Sequence, residues 1–410
     1  GKMIKLPLTG RAIPLIADAY VDKAFGTGLV KITPAHDPND FEVGNRHSLE
    51  RINILNTDGT LSAKAPEKYR GLKVLEARKL VLADLEALGL LKSEEKITHA
   101  VGHCYRCHSS IEPFLSKQWF VKMKPLAEKA LAAWQGGDVA FFPRKWENTY
   151  KHWLENIRDW CISRQLWWGH RIPAFYCRHC GLMMVEREDP MICPKCGSSD
   201  IYQDEDVLDT WFSSWLWPFS TLGWPKDTAD LRRFYPTSAL VTGYDIIFFW
   251  VARMIMAGME FTEKAPFSEV FIHGLIRDKQ GRKMSKSLGN GIDPLEIVKE
   301  YGADALKFTL AYNCAAGQDI LIDHDSFKMG SKFANKVWNA SRFLLMNLEG
   351  RELLDPAAIE YTDIDKWILH RLDEAAAQTA QALESWRFND AAQTAYSYFW
   401  NDFCDWYIEA

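Results

Sequence analysis

The sequence predicts an α/β architecture: a small α+β module, then an open parallel-sheet unit, then a bundle of helices. Three observations predict it. Apolar runs of buried-strand type, Ala239-Leu240-Val241-Thr242 and Glu269-Val270-Phe271-Ile272-His273, alternate with helical patterns, as parallel strands joined by crossovers do. Tryptophan is absent before Trp119, occurs twelve times from Trp119 to Trp250 and five times beyond, so the chain changes character near residues 100–118. From Ser326 onward apolar residues recur at helical spacing, as in Ile368, Leu372, Ala376, Thr379 and Leu383.

In chain order, the first module reads as short β runs (15–17 and 28–32) between Gly and Asx turns, then a helix over about 74–91. In the sheet unit, strand 239–242 leads through Gly243 into an apolar helix over 245–259, and strand 269–273 runs through Gly274 into a basic loop. A ligand is expected there, at the carboxyl ends of the strands. Asp293 caps the next helix, Pro294 takes its first position and Gly302 closes it after Tyr301, with a second helix following at once. Helices over about 326–348, 362–384 and 387–409 complete the chain. It stops in mid-pattern without a cap, which suggests a cut inside a longer protein.

Composition narrows the function classes. Of 410 residues, 47% are apolar and 25% charged, which excludes collagen-like, coiled-coil and mucin-like chains and leaves no room for a long disordered segment. No apolar run approaches the roughly 20 residues that span a bilayer and the first residues lack a signal peptide's apolar core, so a cytoplasmic location without membrane contact is expected. The 49 Lys and Arg against 54 Asp and Glu leave a net charge of −5; any nucleic-acid surface must be a local basic patch.

Six of the nine cysteines form three Cys-x-x-Cys pairs, a pattern that favours metal over disulfides. Cys177, Cys180, Cys193 and Cys196 have the spacing of a ribbon that holds one tetrahedral Zn²⁺ on four thiolates. Cys104 and Cys107 form a possible second half-site with no free pair to complete it. Two lysines three apart, Lys283 and Lys286, lie among small residues in the stretch 281–290 that follows the second strand, where ammonium groups can meet a polyphosphate; the bland alternative is a solvated basic turn.

Residues Lys283-Met284-Ser285-Lys286-Ser287 spell the KMSKS motif, and the chain thereby resembles the class I aminoacyl-tRNA synthetases. Two further stretches, 242–254 (beginning Thr242-Gly243-Tyr244-Asp245) and 206–214, resemble their valyl group rather than the isoleucyl one. The resemblance covers essentially all 410 residues. It implies the second half of a Rossmann-like catalytic domain (101–325, with the ribbon at 175–200), preceded by part of an editing domain (1–100) and followed by the start of an anticodon-binding bundle (326–410). The implied activity is ATP-dependent ligation of valine to tRNA(Val), with Mg²⁺ accompanying ATP, by a monomer.

By that resemblance Lys283, Ser285, Lys286 and Ser287 serve catalysis, while Gly243, Asp245, His273, Gly274 and Lys286 bind ATP or the adenylate. Asp245 alone also reads as an N-terminal helix carboxylate. Trp211, Ile246 and Trp250 would line the valine side-chain pocket, although an aromatic stripe at helical spacing equally describes core packing. A pocket sized for valine rejects threonine poorly, which calls for a second, hydrolytic site. Lys31, Thr33, Asp37 and Asp40 would form it, with Asp40 holding the substrate's amino group; the alternative is an Asx-turn loop. The sequence contains no His-Ile-Gly-His segment, so the chain by itself is expected to be inactive. The rival reading is a non-enzymatic, zinc-bearing RNA-binding module derived from a synthetase.

Overall fold

The computed structural model describes all residues except 95, 97, 105, 106, 286, 287 and 352–354. The chain divides into two compact units, Gly1–Gln118 and Trp119–Ala410.

In the first unit a hairpin pairs strands Met3–Lys5 and Ala12–Pro14, helix Pro38–Arg46 follows, and helix Val74–Ala87 comes later. The strands expected at 15–17 and 28–32 do not form. Leu29 and Val30 are exposed and no neighbour supplies a ladder, so β propensity finds nothing to pack against. Asp37 caps the first helix by accepting from the backbone N–H of Asn39 and Asp40. Gly44 sits on that helix where a Cβ would come within 2.7 Å of Pro34, so only hydrogen fits there.

The second unit is built on a three-stranded parallel sheet in the order Thr237–Gly243, Phe267–His273, Ala140–Phe142. Its core brings together Phe141, Tyr150, Phe219, Ile255, Met256 and Ile272, all fully buried. The third strand, three residues ended by Pro143, carries no local signal; pairing with Glu269, Val270 and Phe271 makes it a strand. After Gly243 the backbone departs from the single α-helix expected over 245–259. A 3₁₀ turn spans Tyr244–Ile246, a wider π-wound segment spans Ile247–Ala252, and α geometry holds only from Arg253–Phe261. Such π-wound segments concentrate at functional sites, where they re-aim side chains.

An antiparallel sheet of Ile201–Gln203, Ala174–Cys177 and Met183–Val185 forms a separate small lobe. Helix Pro294–Tyr301 is capped by Asp293 and closed by Gly302 in a left-handed conformation (φ 92°), and Ala303–Asn313 follows directly. Helices Lys328–Leu348, Asp363–Glu384 and Phe388–Ser397 come next, and the last continues as a π-wound segment, Tyr398–Tyr407. Among the described residues no helix is long and apolar enough to cross a membrane.

Candidate active site and metal centre

Parallel register sets Gly243 beside His273 at the carboxyl ends of the two long strands. A Cβ on Gly243 would lie 2.9 Å from Asp245 Oδ1 and 3.5 Å from His273 Cε1, so the backbone there is open only because the residue is glycine. Gly274 packs closer still: its Cβ would stand 1.7 Å from the carbonyl oxygen of Gln318. Lys283 Nζ reaches back to Asp245 Oδ2 at 3.1 Å. The structure therefore gathers Gly243, Asp245, His273, Gly274 and Lys283 at one sheet edge. Lys286 and Ser287 lie outside the described residues.

The loop that carries Lys283 has a built base. Asp278, 8% exposed, accepts the backbone N–H groups of Gln280 and Arg282 on Oδ1 and the Arg282 and Asn290 side chains on Oδ2. The Asn290 amide, the Arg282 N–H and the Arg282 guanidinium together outweigh burial and hold the Asp278 carboxyl down at about 2. Asn290 also accepts from the backbone N–H of Ser285 at 2.9 Å, so the loop closes on itself around one carboxylate. Beneath it Arg277 pairs with Asp319, which accepts from the Tyr244 hydroxyl and from the Leu275 N–H; Tyr244 in turn stacks on Trp146. Sequence reasoning passed over Asp278, Asn290 and Asp319. An Asx-turn pattern at Asp278-Lys279-Gln280-Gly281 was the available signal for the first.

Of the three residues expected around a valine side chain, Trp211 and Trp250 pack on the same hydrophobic core. Trp211 lines a cavity of about 790 Å³ together with Trp153, Trp160, Phe248, Phe249 and Arg253. Trp250 donates its indole N–H to the Ser214 carbonyl at 3.4 Å, on the short helix that carries Trp211.

In the first unit, Lys31 hydrogen-bonds the Thr33 hydroxyl, and the Thr33 N–H donates to Asp40 Oδ2 at 2.6 Å. Asp40 is 8% exposed. The four residues share one loop and helix start, with Asp37 occupied as the helix cap. His36 braces this segment: the Ile54 N–H donates to Nε2, which leaves Nδ1 as the donor to the Pro113 carbonyl.

The ribbon cysteines meet. All four sulfurs of Cys177, Cys180, Cys193 and Cys196 lie within 4.8 Å of one another, and the pairs Cys177/Cys196 and Cys180/Cys193 are 3.6 Å apart. A tetrahedron of Zn–S bonds of about 2.3 Å requires sulfurs about 3.8 Å apart, so the donor set fits. Both knuckles have the same build, with Gly181 N–H bonding Cys177 O, Gly197 N–H bonding Cys193 O, and both glycines at positive φ. The Cys180 backbone N–H pulls the Cys177 thiol down to about 6. For Cys196 the Ser198 amide favours the thiolate, but burial and the other three sulfurs push it up to about 12. Four thiolates at this spacing would repel one another, and a bound cation would offset that charge. Cys104 and Cys107 find no further described ligand near enough to complete a second cluster.

The chain matches the family described as tRNA synthetases class I (I, L, M and V) over residues 39–323, most of its length. It belongs to that family. Residues 365–410 match the anticodon-binding domain of tRNA ligases. Over its whole length this chain is 67% identical to a valine–tRNA ligase of Treponema denticola, 65% to that of Treponema pallidum and 58% to that of Thermotoga maritima. It spans less than half of those relatives, 46%, 43% and 47% of their lengths. Among solved structures it resembles the Mycobacterium tuberculosis methionyl-tRNA synthetase bound by methionyl-adenylate, with a TM-score of 0.55 and 19% identity over 77% of this chain and 57% of that one. That likeness shows the fold: a class I catalytic domain of mixed α/β content, with an anticodon-binding domain.

Proposed function

We propose that this chain supplies the later half of the catalytic domain of a valine–tRNA ligase, which activates valine with ATP and Mg²⁺ and transfers it to tRNA(Val). The observation that carries the reading is the 55–67% identity, across all of this chain, to relatives named for that activity. In this reading Asp245 takes the ribose hydroxyls of the nucleotide as an acceptor at the end of a parallel strand. Gly243 and Gly274 keep side chains out of the nucleotide's path, and His273 flanks it. Lys283 and Lys286, with the Ser285 and Ser287 hydroxyls, bind the pyrophosphate and offset the charge that builds on it as the valine carboxylate attacks the α-phosphorus. Trp211 contributes to the amino-acid pocket from the short helix Thr210–Ser214, with Ile246 and Trp250 approaching from the neighbouring segment.

The loop of Lys31, Thr33, Asp37 and Asp40 is assigned to hydrolytic editing of threonyl-tRNA. Asp40 pairs with the substrate ammonium, and Lys31 and Thr33 face its side-chain hydroxyl. Cys177, Cys180, Cys193 and Cys196 hold one Zn²⁺ that ties the ribbon's two knuckles together. The chain works in the cytoplasm.

A chimera tests the assignment: this chain replaces the matching segment of the Treponema denticola relative. Valine-dependent ATP–pyrophosphate exchange is expected. Lys286→Ala in the chimera should lower the exchange rate by orders of magnitude with little change in valine affinity, because its charge acts in the transition state. Asp40→Ala should leave exchange intact and let threonyl-tRNA accumulate. A chimera inert toward valine, or a Lys286→Ala rate equal to the parent's, overturns the catalytic reading; unchanged threonyl-tRNA deacylation in Asp40→Ala overturns the editing one.

A further inference from the structure

Arg277 ends the short strand that runs parallel to Ile320–Leu321 and launches the loop of Lys283. Its guanidinium is divided among three segments of the chain. Nε pairs with the Asp319 carboxylate, Nη1 donates to the Gly281 carbonyl at 3.2 Å, and Nη2 donates to the Tyr244 hydroxyl at 3.2 Å. The Tyr244 hydroxyl donates in turn to the same Asp319 oxygen at 3.1 Å, so Arg277, Tyr244 and Asp319 close a triangle that fixes the plane of the guanidinium.

The two neutral contacts fall where the chemistry is assigned. Gly281 lies two residues before Lys283, and Tyr244 immediately precedes Asp245. Lys283 Nζ and Asp245 Oδ2 stand 3.1 Å apart, with side chains 61% and 36% exposed. An ion pair so open to water contributes little by itself and cannot hold two segments in place. The backbone around Arg277 can: Arg277 and Lys283 pair as an antiparallel bridge, so 278–282 form a closed turn whose ends are the arginine and the lysine. A lysine at 277 would keep the charge opposite Asp319, but its single nitrogen lacks the planar fork that reaches a carboxylate, a carbonyl and a hydroxyl at once.

We propose that Arg277 is a positioning residue for the activation step, which sets Lys283 against Asp245 by tying Gly281 to Tyr244. The proposal rests on the reading of Lys283 and Asp245 as pyrophosphate and ribose ligands. In that reading ATP takes Asp245 for its ribose and Lys283 for its pyrophosphate, so the two side chains release each other when it binds. The tie through Arg277 then keeps the loop and the turn in register, and with them the lysine at the distance the transition state needs.

Carbodiimide cross-linking of the 410-residue chain tests the placement without any activity. The reagent joins a lysine to a carboxylate only where the two touch, and mass spectrometry compares the Lys283–Asp245 product with that of Lys129 and Glu260, an exposed pair 2.7 Å apart on other elements. Arg277→Gln is expected to lower the Lys283–Asp245 yield severalfold and to spare the reference pair. If Arg277→Gln fails to fold, Tyr244→Phe, which cuts one arm of the tie, is expected to lower the same yield. An unchanged Lys283–Asp245 yield, or an equal fall in both products, overturns the proposal. In the chimera, Arg277→Lys is expected to lower kcat for pyrophosphate exchange by about tenfold with the KM for valine unchanged. On a Lys283→Ala background the same change should cost nothing further, and a loss repeated there in full overturns the proposal. A chimera inert toward valine removes the catalytic reading instead, while the placement of Lys283 by Arg277 still stands or falls on the cross-link.

Discussion

Asp278 receives four hydrogen bonds from three residues, Gln280, Arg282 and Asn290, and through them the loop after the second strand acquires a fixed base. Replacing it with Asn keeps the shape but removes the charge, so the Arg282 pairing weakens while the Asn290 contact loses its ionic character. Asp278→Asn is expected to speed hydrogen exchange at the Arg282 amide and to increase proteolysis within 279–290, with the sheet unaffected. Acid should act in the same way. The carboxyl is held at about 2, below its ordinary 3.8, so its contribution is complete above that ordinary value and fades as pH falls through about 2. Amide exchange at Arg282 that stays flat from pH 5 to pH 2 would count against Asp278 as the anchor. No pattern in the sequence pairs residue 278 with residue 290; the partnership exists only because the loop folds back on the strand that launches it.

The ribbon is the element in which local sequence says most. Two repeats of Cys-x-x-Cys-Gly, ending at Gly181 and Gly197, specify two knuckles, and the structure brings their sulfurs together. So small a lobe buries too little apolar surface to hold itself, and metal coordination is expected to supply its order. Elemental analysis should find one zinc per chain, and a chelator should expose 178–200 to protease while the parallel sheet survives; a metal-free lobe equally resistant to protease would sink this. Helix Pro294–Tyr301 was legible for a similar reason, since Asp293, Pro294 and Gly302 act within one turn of the ends they define. Elements that depend on distant partners were not. The hairpin at the N-terminus, the strand Ala140–Phe142 and the π-wound segment Ile247–Ala252 are decided by what packs on them, and the runs at 15–17 and 28–32 have strand-like residues but no neighbour. Strand register likewise sets Gly243 beside His273, a pairing that no local pattern specifies.

At the scale of the whole molecule, the parallel sheet is short and ends abruptly. Among the described residues the strand Thr237–Gly243 is bonded on one side only, by Phe267–His273, and Val241 on it is 57% exposed. Parallel sheets usually have both faces covered, so exposure of this kind is less common there than on an antiparallel sheet. The unsatisfied row of N–H and C=O groups is a template for any extended chain that drifts past. Concentrating the 410-residue chain should therefore turn the solution cloudy, through edge-to-edge stacking that light scattering would register as steadily growing particles. Placing a charge on the edge with Val241→Lys is expected to delay this growth severalfold without altering the far-ultraviolet circular dichroism. Particles that grow at the same rate in the variant would clear the edge of responsibility. For anyone preparing this protein, shelf life would then be set by a strand seven residues long rather than by the stability of its core.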